Sequence, residues 1–416
     1  MPSPASSEPP PAGALVSATA PLVGPDPGAD PVPWTAVWAE DGRDAGTLVW
    51  AGPAARAPRA LLHRARPVPA LRLTGTLMDH HVHGGAGVDA ATSSPDALAA
   101  WLRARRAAGA GLTLASLPAL APDALVAALE RLRDPWEQGL LAGVHLEGPF
   151  LSLARAGAHA PSVLCPPDSP AGRRVRAVID AAPAGLVRTL TLAPELPGAV
   201  AAATDLTRAG TVVCVGHTDA DGPAVRAALD AVDAARGGAG PTPVATHLFN
   251  AMRPFHHRDP GPIPVLLAAA RRGRIRLEVI ADGVHVADEV LADLLEDPAL
   301  APRILLVSDA VAATGAPPGS RHRLGPLPVR AAADAPRLDG AGSPALAGGA
   351  VGLPEAVGRL LAAGLPPDAV LRAAVHVPRL SLETGEHAVP EDDVLVWGAE
   401  GRVRVLTGPG GAPAAG

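Results

Sequence analysis

A chain of 416 residues is too long for one small core and suits one large barrel or two domains. The net charge is −6, and all 35 basic residues are arginines scattered through helical stretches, so no basic patch is offered to nucleic acid; two cysteines make no disulfide framework. No run of 18 or more apolar residues is free of charge or proline, which argues against a membrane helix and leaves small molecules as the expected partners. Without lysine there is no Schiff base, no phosphate-loop lysine and no carbamylated-lysine metal bridge.

Residues 1–33 read as a disordered Pro/Ala-rich tail. They have neither the basic start nor the apolar stretch of a secretory signal, so a cytoplasmic location is expected. Residues 34–75 carry "WTAVWAE" and "GTLVWAG", and residues 385–416 carry "DDVLVWG" and "RVRVLTG". These short strand-like pieces are expected to form one small β-domain from both ends of the chain.

Residues 76–384 alternate apolar strand-like runs with longer Ala/Leu/Arg-rich helical stretches. The strand candidates are Thr76–Gly84, Gly111–Pro118, Leu141–Gly148, Val187–Glu195, Thr211–Thr218, Pro243–Asn250, Arg276–Gly283 and Arg303–Ala310. Eight such units predict an α/β fold, a parallel (β/α)8 barrel of the TIM type. Polar residues close these runs: His81, His83, Glu147, Glu195, His217, His247, Asp282 and Asp309. Catalytic groups of such barrels stand at the C-terminal ends of the strands.

In "DHHVH", strand alternation points Asp79, His81 and His83 toward the barrel mouth and His80 and Val82 toward the surrounding helices. Two histidines at i, i+2 can converge on one metal ion. Glu147 closes the apolar run "GVHLEGPF", where a carboxylate needs either an arginine or a metal; His145 shares its face and stands behind it. Glu147, His217 and His247 make a carboxylate and two imidazoles with one coordination position left open, as in catalytic zinc sites. Asp309, in "LLVSDA", is either a base beside such an ion or the N-cap of the following segment.

Longer motifs go further: "DHHVHGGAG", "GVHLEGPFLSLARAGAHAP", "VGHTDA", "THLFNAMRPFHHRDPG", "IADGVHV", "VSDAVAATG" and "LAGGAVGLPEAV". From about Gly75 to Leu380 the sequence resembles the N-acetylglucosamine-6-phosphate deacetylase family of the amidohydrolase superfamily. The resemblance implies that Glu147, His217 and His247 hold the principal divalent metal, while His81 and His83 hold a second one in some members. Zinc is the first candidate, with iron, manganese or cobalt as others, one or two ions per subunit. It implies that Asp309 is the general base and acid and that His159 contacts the acetamido carbonyl. Asn250 and Ala251 would offer amides to the sugar phosphate, and Arg258 and His285 would bind it, in a pocket that can include a neighbouring subunit of a homodimer. Ala158 and the loop Leu346, Ala347 and Gly348 would line the substrate. The implied reaction is hydrolysis of N-acetylglucosamine 6-phosphate to glucosamine 6-phosphate and acetate. Alternatives are deacetylation of another N-acetylhexosamine 6-phosphate or N-acyl amine, or a non-catalytic sugar-phosphate binder.

Overall fold

The computed structural model describes residues 14–26, 32–40, 45–238, 240–340, 345–382 and 393–408. Its centre is an eight-stranded parallel sheet: Met78–Val82, Leu112–Leu117, Gly143–Glu147, Val187–Leu192, Val212–Val215, Val244–Ala245, Arg276–Ile280 and Ile304–Val307. Each lies within one of the eight runs that the sequence marks out. Consecutive strands are neighbours throughout, the usual arrangement for elements joined by short crossovers. The last strand returns to the first: the Asp309 amide donates to His81 O at 2.9 Å and the His83 amide to Ala310 O at 2.7 Å. The barrel is thereby closed at its mouth, where the polar residues stand.

The helices start by local rules. Ser94, Ser169 and Asp221 each cap a helix by accepting from a backbone amide three residues on, with proline at the first or second helical position. Inside the barrel, Met78, Leu112, Leu114, Val212, Cys214 and Val244 pack into one apolar layer with Leu382. Between the barrel and its helices lie two much larger clusters, one containing Val82, Trp101, Val144 and Leu190, the other Leu277, Leu306, Leu360 and Leu371.

A second body draws on both ends of the chain. Val394–Trp397 pairs antiparallel with Val403–Leu406 and with Arg72–Thr74. Val16, Ala36, Trp38 and Leu73 share a core with Val396 and Leu406, and Trp397 Nε1 donates to Thr74 Oγ1 at 3.0 Å. The expected tail of residues 1–33 needs correcting at Leu15–Pro21. That segment is a strand, antiparallel to Pro33–Ala39 and parallel to Ala65–Pro67. Its Ala, Ser and Pro content disguised a buried stretch in which Leu15, Val16, Ala18 and Ala20 are all in the core. Residues 1–13 of the expected tail lie outside the described residues, as do 383–392 at the junction expected near 384–385.

The eighth strand is followed by an element the sequence reading did not separate. Arg321–Leu324, Leu327–Arg330 and Arg337–Leu338 form a three-stranded antiparallel sheet, and Arg337 bridges to Leu346. Among the described residues no helix is long and apolar enough to cross a membrane.

Candidate metal and active site

The inward-pointing residues of the barrel change character along the strands. Above the apolar layer stands a polar one. His145 Nδ1 meets Ser116 Oγ at 2.9 Å, His145 Nε2 meets Thr191 Oγ1 at 2.8 Å, and Thr191 Oγ1 meets Thr246 Oγ1 at 2.8 Å. Glu278, in mid-strand, joins this layer and is 1% exposed. Burial pushes the His145 imidazole well below its ordinary value, and neighbouring His81 adds to that, so His145 is neutral.

Above that layer the strand ends converge. His217 Nε2 and His247 Nε2 each lie 2.9 Å from Glu147 Oε1 and 3.1 Å from one another. Beside them, His81 Nε2 and His83 Nε2 are 3.1 Å apart, with Asp309 Oδ1 3.4 and 3.5 Å away. Glu147 joins the two groups, because its Oε2 lies 3.0 Å from His83 Nε2. His217 Nε2, His247 Nε2 and Glu147 Oε1 all lie near 3 Å from each other, and His217, whose one ring proton is taken by Arg155 O, has no N–H to place between them. They are spaced as ligands around a small ion with bonds of about 2.0–2.2 Å.

The outer ring nitrogens support this. His217 Nδ1 donates to Arg155 O at 2.8 Å, His83 Nδ1 to Ser116 O at 3.1 Å, and His81 Nδ1 to Glu278 Oε2 at 3.2 Å. In neutral rings each such bond leaves the Nε2 lone pair facing the centre. The electrostatics suit a cation at this centre. Burial would raise the Glu147 carboxyl, but His159, His81 and His217 outweigh it and hold it well below the carboxylate range. Burial would lower His81, but Glu147 and Asp309 push it well above its ordinary value. The donor set therefore fits a divalent ion of the zinc, iron, manganese or cobalt type.

His159 is different in kind. Its Nδ1 accepts the Ala119 amide at 3.0 Å, so the ring proton of the neutral form sits on Nε2, which lies 3.1 Å from Glu147 Oε2. Burial takes its pKa down to about 4, against the pull of Glu147. It stands with Glu147 and His217, and in its neutral form it presents an N–H to Glu147 where the other histidines present a lone pair.

Main-chain geometry marks the same positions. His217, His247 and Asp309 all lie in the left-handed region, with φ of +45°, +30° and +49°. Each costs about 1–3 kcal/mol, and such strain gathers where side chains must be aimed. Only glycine serves at two supporting points. A Cβ on Gly349 would lie 1.9 Å from Ser308 O, behind Asp309, and one on Gly157 would lie 2.9 Å from His217 Cε1.

The remaining expected residues surround this centre unevenly. Ala158 and Ala347 pack with Val311 in one cluster, and the Gly349 amide donates to Asp309 O at 2.7 Å, so the 346–349 loop backs the Asp309 turn. Leu346 pairs with Arg337, and a Cβ on Gly348 would lie 2.5 Å from Val311 Cγ1. His285 Nδ1 donates to Asp282 Oδ2 at 2.8 Å; burial lowers its pKa but Asp282 more than restores it. Asp282 is thus the orienting partner of His285, and Glu195 fixes the turn after His217 by accepting from Thr218 Oγ1 at 2.6 Å and the Asp219 amide at 2.7 Å. The Asn250 amide is already donated to His247 O at 3.0 Å, while Ala251 follows with φ of +50°. Arg258 is exposed, its Nη1 2.9 Å from His257 Nε2.

One expectation fails. His80 does not face the helices, and Asp79 does not face the mouth. Asp79 pairs with Arg105 of helix Pro95–Ala107 at 2.6 Å, whereas His80 Nδ1 meets Glu278 Oε1 inside the barrel at 2.6 Å. The reason is a bulge: Asp79 pairs with Thr113 but Val82 with Ala115, three residues against two, so His80 and His81 both point inward. Glu278 itself was missed. Its signal was a charge in the middle of "RLEVIADG", where an all-buried strand should be apolar.

No family model matches the chain. It is 31% identical over 309 residues to an N-acetylgalactosamine-6-phosphate deacetylase of Escherichia coli O157:H7, covering 73% of this chain and 76% of that one. The N-acetyl-D-glucosamine-6-phosphate deacetylase of Mycobacterium smegmatis, solved as a mutant in complex with N-acetyl-D-glucosamine-6-phosphate, superposes with a TM-score of 0.76 at 33% identity, covering 94% of this chain and 97% of that chain. The chain belongs to the N-acetylglucosamine-6-phosphate deacetylase family. Another curated member, from Danio rerio, is 39% identical over 208 residues, 47% of this chain and 46% of that protein. In that match and in two others the chain spans about half the relative's length, between 43% and 54%. Membership agrees with the closed barrel, the small β-domain and the histidine–carboxylate centre described above.

Proposed function

We propose that the protein hydrolyses the acetamide of N-acetylglucosamine 6-phosphate to glucosamine 6-phosphate and acetate. The observation that carries this reading is the pairing of a three-donor centre, Glu147, His217 and His247, with a carboxylate and a neutral N–H donor on its rim. A divalent ion held there, zinc first and iron, manganese or cobalt next, would supply a water activated near neutral pH and polarise the amide carbonyl. His81 and His83 would hold a second ion.

The chain's own residues do the rest. Asp309 accepts the proton of the attacking water as the C–O bond forms, then delivers it to the amide nitrogen as the C–N bond breaks. His159 Nε2–H donates to the carbonyl oxygen as negative charge gathers there, which a neutral ring can do at any pH above about 4. His285, held by Asp282, and Arg258 bind the phosphate with the Asn250–Ala251 segment. Exposed Arg258 is free to reach a substrate in a partner subunit, which favours a homodimer. Ala158 and the Leu346–Gly348 loop line the sugar. A doubly charged sugar phosphate does not leave a cell by diffusion, so the enzyme is placed in the cytoplasm. The barrel as catalytic domain and the two chain ends as one supporting domain follow from the same reading.

The test is a substrate panel: acetate release from N-acetylglucosamine 6-phosphate, its galacto epimer and unphosphorylated N-acetylglucosamine. The gluco phosphate should have the highest kcat/KM, and the unphosphorylated sugar should lose at least ~100-fold, as removal of a charged, doubly contacted group implies. A preference for the galacto epimer, at which the E. coli relative is named to act, would replace the gluco assignment. Equal rates on the unphosphorylated sugar would overturn the phosphate site.

A further inference from the structure

Glu278 is a charged residue in the interior of a barrel strand, 1% exposed, and the reaction above does not use it. An isolated carboxylate there would be strongly disfavoured, so its contacts must offset its burial. Those contacts are specific. Oε1 accepts from His80 Nδ1 at 2.6 Å. Oε2 accepts from His81 Nδ1 at 3.2 Å and from the backbone amide of His247 at 3.3 Å. The Glu278 main chain adds a fourth tie, its carbonyl accepting the Leu248 amide at 2.8 Å.

One carboxylate thus holds a side chain from the first strand and the main chain at the end of the sixth. His81 belongs to the group with His83 and Asp309, and His247 to the group with Glu147 and His217. His247 needs a tether of this kind, because its Nδ1 is buried without a hydrogen-bond partner and its backbone is left-handed. His81 needs one because its Nε2 can serve as a ligand only if Nδ1 carries the proton. His80 is the counterpart that keeps Glu278 in place. It reaches the barrel interior through the bulge between Asp79 and Val82, and its other nitrogen, Nε2, is buried without a partner. The bulge turns that histidine inward, and the Glu278 carboxylate is the partner it meets there.

We infer that Glu278, locked by His80, is a positioning residue that aligns the two metal-binding groups with each other. Glu278 is bonded behind His81 and to the main chain of His247 rather than standing among the converging Nε2 and carboxylate atoms. It sets the tautomer of His81 and the main-chain position of His247, so it acts through both groups at once. The inference rests on the metal centre of the reading above, and the two fail separately: wild-type protein that binds no divalent ion removes that centre, whereas wild type that binds with unaltered variants removes only this role.

The experiment compares wild type with Glu278→Gln and His80→Gln. Chelator competition measures Zn2+ affinity, and the visible spectrum of Co2+-loaded protein reports ligand geometry independently of turnover. Glu278→Gln should weaken Zn2+ binding by about 10–100-fold, the usual effect of losing a partner behind a histidine ligand. It should also change the Co2+ spectrum and lower kcat while KM stays within about twofold, since no substrate contact is lost. His80→Gln should move the same readouts in the same direction by less. If Glu278→Gln does not fold, His80→Gln decides alone. Wild-type zinc affinity and an unchanged Co2+ spectrum in the folded variants, even with a lowered Tm, would make the pair a packing feature and overturn the inference.

Discussion

The two ends of the barrel interior are built from the same strands with opposite chemistry. At one end Met78, Leu112, Leu114, Val212, Cys214 and Val244 fill the barrel as an ordinary apolar plug. Further along the barrel strands, inward positions become Ser116, His145 and Thr246, and beyond them come Glu147 and the strand-end histidines. The pleat delivers alternate side chains to the interior at a spacing of about 7 Å, so one strand can carry a stability layer, a supporting polar layer and a reacting group in order. The lesson is a division of labour by depth: removing a group from the apolar plug should cost stability alone, removing one at the mouth should cost turnover alone, and the polar layer between them should touch both.

Substitutions can break this comparison. The largest effect belongs to the mouth. Asp309→Asn should lower kcat by about 10²–10⁴-fold, the range for losing a general base, with metal content and Tm close to wild type; acetate-release kinetics and elemental analysis on one preparation check this, and retained turnover would remove Asp309 from its role. At the other end, Leu114→Ala empties part of a fully buried layer and should cost about 2–5 kcal/mol of stability by denaturant titration, with kcat per folded molecule unchanged. His145→Leu probes the layer between. It leaves Ser116 and Thr191 without a shared partner, costs about 1–3 kcal/mol, and should lower kcat as well through the floor of the site.

The smallest expected effect is a shift in pH dependence at the proposed phosphate position. The His285 pKa is raised by Asp282, so the ion pair is fully formed below the ordinary histidine value and is lost as pH rises through the raised one. Asp282 is held below its ordinary value, so its part of the pair is present at neutral pH and is lost only as pH falls into the acid range. KM for the phosphorylated sugar should therefore stay low to a pH above the ordinary histidine value. Asp282→Asn should move the rise in KM to lower pH by returning His285 toward that value. An unshifted KM profile would separate His285 from phosphate binding.

Much of this was legible in the sequence, for identifiable reasons. Barrel strands buried on both faces read as apolar runs, and a charged or imidazole group ending such a run is conspicuous; Glu147, His217, His247 and Asp309 stood out in this way. What escaped depended on contacts distant in sequence or on departures from regular pleating. The bulge after Asp79 reversed the predicted faces of Asp79 and His80, because period-two alternation has no signal for an extra residue. Glu278 was hidden inside a strand whose closing Asp282 drew attention instead. Leu15–Pro21 was read as tail because small residues and proline dominate its surroundings, although the pairing partner, Pro33–Ala39, was itself visible. The tautomer that sets His159 apart from His217 is fixed by the Ala119 amide, 40 positions away in the chain.

The central claim is a metal-dependent deacetylase centre formed by Glu147, His217 and His247 with Asp309. The most direct test measures acetate release from N-acetylglucosamine 6-phosphate, together with bound metal, before chelation, after chelation and after readdition of Zn2+. The account predicts one acetate per glucosamine 6-phosphate formed, one or two ions per chain, loss of activity with the metal and recovery on its return. Full activity in protein stripped of metal, or no acetate from protein that holds it, would contradict the account.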